Sequence, residues 1–345
     1  MRKLILSLIL LLVATACQPA FAASFDCNKA ATPTEHAICD TPELSHKDDV
    51  LAKAFATAIG GLSKAATNKM RNDEADWLAY VDGDCTDDGK PLTSGEYTDD
   101  QKACLGTLID NRIKTLEDSR MLGGFRFYLT SKYAALVDPD QVDNPEAYTK
   151  LANYDGSAPL IDGDDDTAMA FNAFILDKAK DQLALFAPAS TPDGLDATSD
   201  TSVRINVNEV TPARISLKVM NYYFGHGAAH GGTDLGNYHF LISKNRPMEA
   251  SDIFKGTAWK KKLLDLAVKQ VRAQLGDNLM LDDPSTLADL VIDPYRWSFG
   301  ETGLEIQFEQ YEVTAYAMGA PVVTVSWDDL TDLLTDDYNS VVYGY

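Results

Sequence analysis

Three histidines stand close together, at His226, His230 and His239, and the first two belong to the run Tyr222-Tyr223-Phe224-Gly225-His226-Gly227-Ala228-Ala229-His230-Gly231-Gly232. Two imidazoles four residues apart are what one helix face offers a metal, with Asp234 near enough to be a third ligand. Glycine argues against that helix, because a stretch this rich in it has no helical stability. The reading that needs least is that His230 hydrogen-bonds the loop backbone and holds its shape. No Gly-x-Ser-x-Gly and no His-Glu-x-x-His occurs, so the sequence gives no catalytic residue, no metal site and no cofactor. Glu301 and Glu305 are the one carboxylate pair near a strand entrance, and nothing else in the sequence marks them as catalytic.

The elements around this run are strands. Arg214 to Tyr223 alternates and is rich in β-branched and aromatic residues, and a second strand runs from Leu235 to Ile242. Five glycines between Gly225 and Gly236 allow the backbone to approach something closely, which an ordinary hairpin would not need. A loop of this length on a strand pair is a binding element more often than a connector.

The chain begins with Arg2-Lys3, an apolar run from Leu4 to Ala16 and a small-residue cleavage site at Ala20-Phe21-Ala22, the pattern of a signal peptide over residues 1–22. The expected location is periplasmic or secreted; the alternative is a lipid anchor on Cys17 within Ala14-Thr15-Ala16-Cys17, the one route to a membrane. After cleavage Cys27, Cys39, Cys85 and Cys104 remain, an even set that in an exported chain favours two disulfides. Of three connectivities the local one, Cys27 with Cys39 and Cys85 with Cys104, is preferred, since each bond closes a short segment between helices. Fifty-two acids face 30 basic residues, giving net charge −22, and loss of Arg2 and Lys3 makes the remainder more negative. Nucleic acid is excluded as a partner on that balance. A basic protein partner would be drawn in faster by the same field.

Three-four apolar spacing predicts helices over Leu44–Leu62, Lys69–Val81 and Asp99–Leu116, with Ser45 and Thr98 as N-caps, in a small disulfide-tied unit at residues 23–121. Residues 122–147 read as an acidic linker, and Asp164-Asp165-Asp166 lacks the spacing of a calcium loop. Residues 148–345 read as α+β: a helix at Asp165–Phe186, strands to Ser243, a helix at Trp259–Leu275, strands including Leu304–Phe308 and Glu312–Tyr316, and a closing helix at Asp328–Leu334. Strands and helices do not alternate regularly, so a mainly antiparallel sheet with packed helices is expected.

Two resemblances bear on function. Ser24-Phe-Asp-Cys27, Glu35-His-Ala-Ile-Cys39, Leu44 with Asp48, Trp77, Cys85, Cys104 and Arg112 resemble the LprI family, whose named member inhibits lysozyme. Trp77 reads as a core anchor. Farther on, Ile215-Ser-Leu, Tyr222-Tyr223, Gly-Ala-Ala-His230-Gly, Asn237-Tyr238-His-Phe and Ser251-Asp252-Ile253-Phe254 resemble the extracellular domain of the anti-sigma factor RsiV, found also beside PdaC-type deacetylase domains. Phe299 to Phe308, Tyr311 to Gly319 and Val323 to Leu330 extend that likeness, while Gly227-Ala228-Ala229-His230 departs from the usual Gly-Gly-Ala-His. The resemblance implies a receptor without the deacetylase, whose loops occupy a lysozyme cleft. It assigns His226, His230, Gly231, Tyr311, Tyr316 and Gly319 to a partner-binding rim, with the tyrosines as anchors. The expected function is thus lysozyme binding and inhibition without catalysis; the alternatives are a peptidoglycan or envelope-glycan module and a metal-dependent envelope enzyme.

Overall fold

The computed structural model describes residues 23–147, 149–187 and 194–345. The leader, Cys17 and Tyr148 lie outside these. Helix α1 (Pro33–Asp40) opens on a reciprocal cap: the Thr32 hydroxyl accepts from the Glu35 amide and the Glu35 carboxylate from the Thr32 amide. Helix α2 (Pro42–Ile59) begins at its proline, whose missing N–H costs nothing there. Ser45, expected to cap it, is buried inside it instead. Helix α3 (Lys64–Asp84) and helix α4 (Asp99–Leu116) follow, the latter capped by Thr98 as predicted. Disulfides join Cys27 to Cys39 and Cys85 to Cys104. Leu44, Leu51, Met70, Trp77, Leu105 and Ile109 fill the space between these helices.

Strand β1 (Met121–Leu122) leads to β2 (Phe125–Val137), so the stretch whose acids and prolines suggested a linker contains a long strand. Its acidic signal comes from Asp138 onward, whereas Phe125–Val137 has the aromatic and β-branched content of a strand. β2 pairs antiparallel with β3 (Leu151–Ile161) from Phe127↔Ile161 to Val137↔Leu151. Asp165 then caps helix α5 (Asp166–Gln182) by accepting from the Ala168 amide, which is what the aspartate run does structurally. Strands β4 (Ser199–Val210), β5 (Arg214–Gly225), β6 (Gly232–Leu241) and β7 (Arg246–Pro247) complete a seven-stranded sheet ordered as numbered. Only β3 and β4 run parallel, as the crossover through α5 requires.

Helices α6 (Ala258–Leu275) and α7 (Ala288–Ile292), strands β8 (Trp297–Phe299), β9 (Gly303–Gln307) and β10 (Val322–Ser326), and helix α8 (Tyr338–Tyr343) form the last layer. Its small antiparallel sheet, ordered β10-β9-β8, shares a core with α6 through Leu263, Val271, Trp297, Ile306 and Val325. Two expectations change here. Glu312–Tyr316 is not a strand, because the Glu312 carboxylate accepts from the Glu309 amide and closes a turn. Asp328–Leu333 is a 3-10 helix in place of the closing α-helix. The chain as a whole is α+β.

Alternation on the large sheet separates two faces. Val203, Ile205, Ile215, Leu217 and Phe240 pack with Phe171 and Ile175 of α5. On β2, Ser131 and Tyr133 meet the helical layer, where the buried Arg112 guanidinium bonds the Glu74 carboxylate at 2.6 and 2.9 Å and donates to Tyr133 Oη at 2.7 Å and Ser131 Oγ at 3.2 Å. The same guanidinium lies 5.8 Å over both Trp77 and Tyr133. Asp73 adds a bond from the Ser131 amide at 3.0 Å. At the other end Arg214 donates to the Val341 and Val342 carbonyls and to Glu209, each at 2.9 Å, tying α8 to β5. Removing one partner of a buried pair strands the other charge. Glu74→Gln should therefore lower unfolding stability by roughly 3 kcal/mol, read as a reduced urea midpoint at unchanged slope.

Candidate functional site

The β5–β6 hairpin carries the glycine-rich run as its loop, and two glycines in it are set by close approach. A Cβ on Gly231 would come within 2.4 Å of the Tyr222 hydroxyl, and one on Gly236 within 2.0 Å of the Tyr295 ring. Tyr295 thus lies flat against the β6 backbone, its hydroxyl 3.3 Å from Asp234 Oδ2. Burial first, then the charge of Asp234, pushes the Tyr295 pKa up, so the phenol stays protonated and donates. The segment Pro294–Arg296 that carries this ring runs straight into β8. In this way the hairpin of the large sheet is brought against the loop that follows β9 of the small one.

Between hairpin and loop lies a cavity of about 370 Å³ lined by Asn221, Tyr223, His230 to Asp234, Glu309, Gln310, Tyr311 and Tyr316. The His230 imidazole stacks on Tyr316 with centroids 3.8 Å apart and planes inclined by 21°. Its Nδ1 is 3.0 Å from the Gly231 carbonyl, which can only accept, so that nitrogen carries the proton. Nε2 lies 3.1 Å from the Tyr311 hydroxyl, within hydrogen-bond distance. Tyr311 holds φ +69°, a left-handed conformation that a side chain with a Cβ adopts at a cost. Its ring is 58% exposed, so burial does not repay that cost.

Part of the lining is acidic: Asp234 and Glu309 both border the cavity, and Arg296 reaches Glu309 at 3.0 Å and Glu312 at 2.9 Å. One guanidinium thus stands among three carboxylates. Burial, then the bond to Asp234, raises the Glu309 pKa; Arg296 opposes this, and the charges of Asp234 and Glu312 reinforce it, leaving it at about 8.

Comparison with known proteins gives two matches along the chain. Residues 27–116 fit the family described as lysozyme inhibitor LprI, and residues 251–328 fit a protein family of unknown function, DUF3298. Two solved structures of DUF3298 family proteins are similar: one from Bacteroides fragilis NCTC 9343 at 14% identity and TM-score 0.46, covering 65% of this chain and 99% of that one, and one from Pseudomonas aeruginosa PAO1 at 13% and 0.42, covering 64% and 98%. No curated protein matches the chain.

The stretch that fits DUF3298 supplies Glu309, Gln310, Tyr311 and Tyr316 to the cavity, while Tyr223, His230 and Asp234 come from the hairpin before it. Of the residues predicted for a partner rim, His230, Gly231, Tyr311 and Tyr316 therefore meet on one cavity. Gly319, at φ +77°, ends the 3-10 turn that carries Tyr316. His226 lies elsewhere: its buried ring bonds Asp138 through Nδ1 and sits 3.4 Å from Asp200 through Nε2. His239 is enclosed, donating from Nε2 to the Trp297 carbonyl and accepting from Ser216 at Nδ1, each at 2.9 Å. Burial, then the charge of Arg214, lowers its pKa to about 3, so it stays neutral. The three histidines do not converge. Sequence reading missed Glu309 and Gln310, although they directly precede Tyr311, and missed Asn221, whose alternation with Tyr223 along β5 was available.

Two outcomes follow from this geometry. Tyr311→Gly should be about 1 kcal/mol more stable than Tyr311→Ala in thermal or urea unfolding, because both lose the ring and only glycine relieves the left-handed backbone. For His226, burial disfavours the charged ring but the bonds to Asp138 and Asp200 outweigh it and raise the pKa. A raised folded pKa gives stability that is complete below the ordinary histidine value and fades as pH rises through the folded one. The stability lost in His226→Gln should therefore be largest below about pH 6.5 and shrink above it, measured by denaturation across a pH series.

Proposed function

We propose that this chain is an exported, non-catalytic protein that binds and inhibits a lysozyme, with the rim formed by His230, Gly231, Tyr311 and Tyr316 entering the partner's cleft. The observation that carries this is the fit of residues 27–116 to a lysozyme-inhibitor family, joined in one chain to the aromatic cavity. The net charge of −22 supports it, since lysozymes are strongly cationic and opposite fields speed and orient association. Tyr223 at 51% exposure and Tyr311 at 58% add accessible aromatic area at low entropic cost. The helical unit fixes the sheet from behind through Arg112 and carries the family likeness. No helix among the described residues is long and apolar enough to cross a membrane. A second reading, a module for peptidoglycan or another envelope glycan, is favoured by the stacked rings of His230 and Tyr316 beside an open cavity, a geometry that suits a sugar face.

A lysis assay with residues 23–345 against chicken-type, invertebrate-type and goose-type lysozymes separates the two. Inhibition of at least one type at low ionic strength, weakening as salt rises and about tenfold poorer in Tyr311→Ala/Tyr316→Ala, is expected. Unchanged turnover of all three enzymes at low salt would sink the inhibitor reading. Salt-insensitive retention on purified peptidoglycan would instead favour the glycan module.

A further inference from the structure

The groups on the cavity are unbalanced in a way the proposed function does not explain. Asp234 and Glu309 present carboxylates, and Arg296 cancels only part of their charge because it also serves Glu312. Gln310 lines the same cavity beside them. The rings of Tyr223, Tyr311 and Tyr316 line the same cavity. Carboxylates and π-faces on one cavity describe a receptor for a group that is flat, cationic and made of donors only.

We propose that this cavity is a subsite for a guanidinium group, the side chain of an arginine on the partner's surface. Arginine has five N–H donors and no acceptor, so its planar fork can serve Asp234 and Glu309 together. Its plane stacks on tyrosine, which a hydrated ammonium does less well. A metal ion is a poorer occupant: among the described residues no three or more His, Cys, Asp or Glu are grouped to hold one. The assignment rests on the lysozyme reading for the identity of the partner but not for the chemistry of the pocket.

The groups that face Glu309 decide how binding responds to pH. They are Asp234 from β6, Tyr295 and Arg296 from the segment before β8, and Glu312 from its own loop, with His230 of the hairpin on the same cavity. With its carboxyl holding a proton up to about pH 8, the empty pocket is partly neutralised by that proton. A guanidinium displaces it, so binding releases one proton and tightens as pH rises through that range.

The test uses the whole protein and small probes, N-acetyl-arginine amide, its lysine counterpart and its neutral norleucine counterpart, followed by calorimetry and by tyrosine ring signals in NMR. The arginine probe should bind in the millimolar range, more tightly than lysine, with norleucine silent. Its affinity should rise between pH 6 and pH 8 by up to about tenfold per unit. Asp234→Asn should weaken it at least tenfold, and Glu309→Gln should weaken it and flatten the pH response. Variants are accepted when their thermal melts match the parent, and if Asp234→Asn unfolds, Glu309→Gln alone decides. Equal binding of arginine and norleucine, unaltered binding in a folded variant, or calcium binding more tightly than arginine would overturn the subsite. Lysozyme inhibition that excess arginine probe does not relieve would overturn the subsite while leaving the proposed function standing. Arginine binding without inhibition of any lysozyme would do the reverse.

Discussion

Tyr295 laid across Gly236 is the contact on which the site depends. The large sheet and the small sheet are separate hydrogen-bonded units, and among the described residues no ladder joins them. Their mutual placement near the cavity is set where a phenol ring takes the space a Cβ would have filled. That contact carries Asp234 with it through the hydroxyl, and through the neighbouring Arg296 it positions Glu309 and Glu312. A chain with alanine at position 236 would have to push the ring away, and the carboxylates would move with it. Steric exclusion at one residue therefore sets electrostatics several residues away.

The helical unit is fixed to the sheet by a different principle. Arg112 is buried, and its guanidinium is spread over a carboxylate, two hydroxyls and two aromatic rings. Such a buried ion pair adds little net stability compared with an apolar contact of the same size. Its value lies in direction: donors in a planar fork accept one register of β2 beneath α3 and α4 and reject a slipped one. An apolar interface alone would tolerate sliding, and the sheet end that carries Ser131 and Tyr133 would not be fixed.

Elements were legible wherever one local signal acted alone. The period-two runs on β5 and β6, the Thr98 cap of α4 and the local cysteine pairs all describe neighbours in sequence. Failures came where composition and pattern disagreed, as in the stretch after residue 122, where the acids beyond Asp138 obscured a strand that Phe125–Val137 spelled out. Glu312–Tyr316 alternates like a strand, but the Glu312 carboxylate caps the Glu309 amide and turns the chain, a side-chain bond that periodicity does not encode. The site was half legible. The run holding His230 and Gly231 stood out by its glycines, whereas Tyr311 and Tyr316 entered only through the family resemblance. Asp234 with Glu309 could not be paired, since among 52 acids no local feature distinguishes the two that a distant turn brings together.

Both disulfides lie between Cys27 and Cys104, and the cavity is built without cysteine. Covalent reinforcement and the candidate site thus lie in different parts of the chain. Thiol chemistry in the surroundings acts directly on the helical scaffold alone, whereas the aromatic mouth is shaped only by packing and hydrogen bonds. Redox conditions are therefore a lever on how firmly the helical scaffold is held together, one that leaves the groups around the cavity untouched.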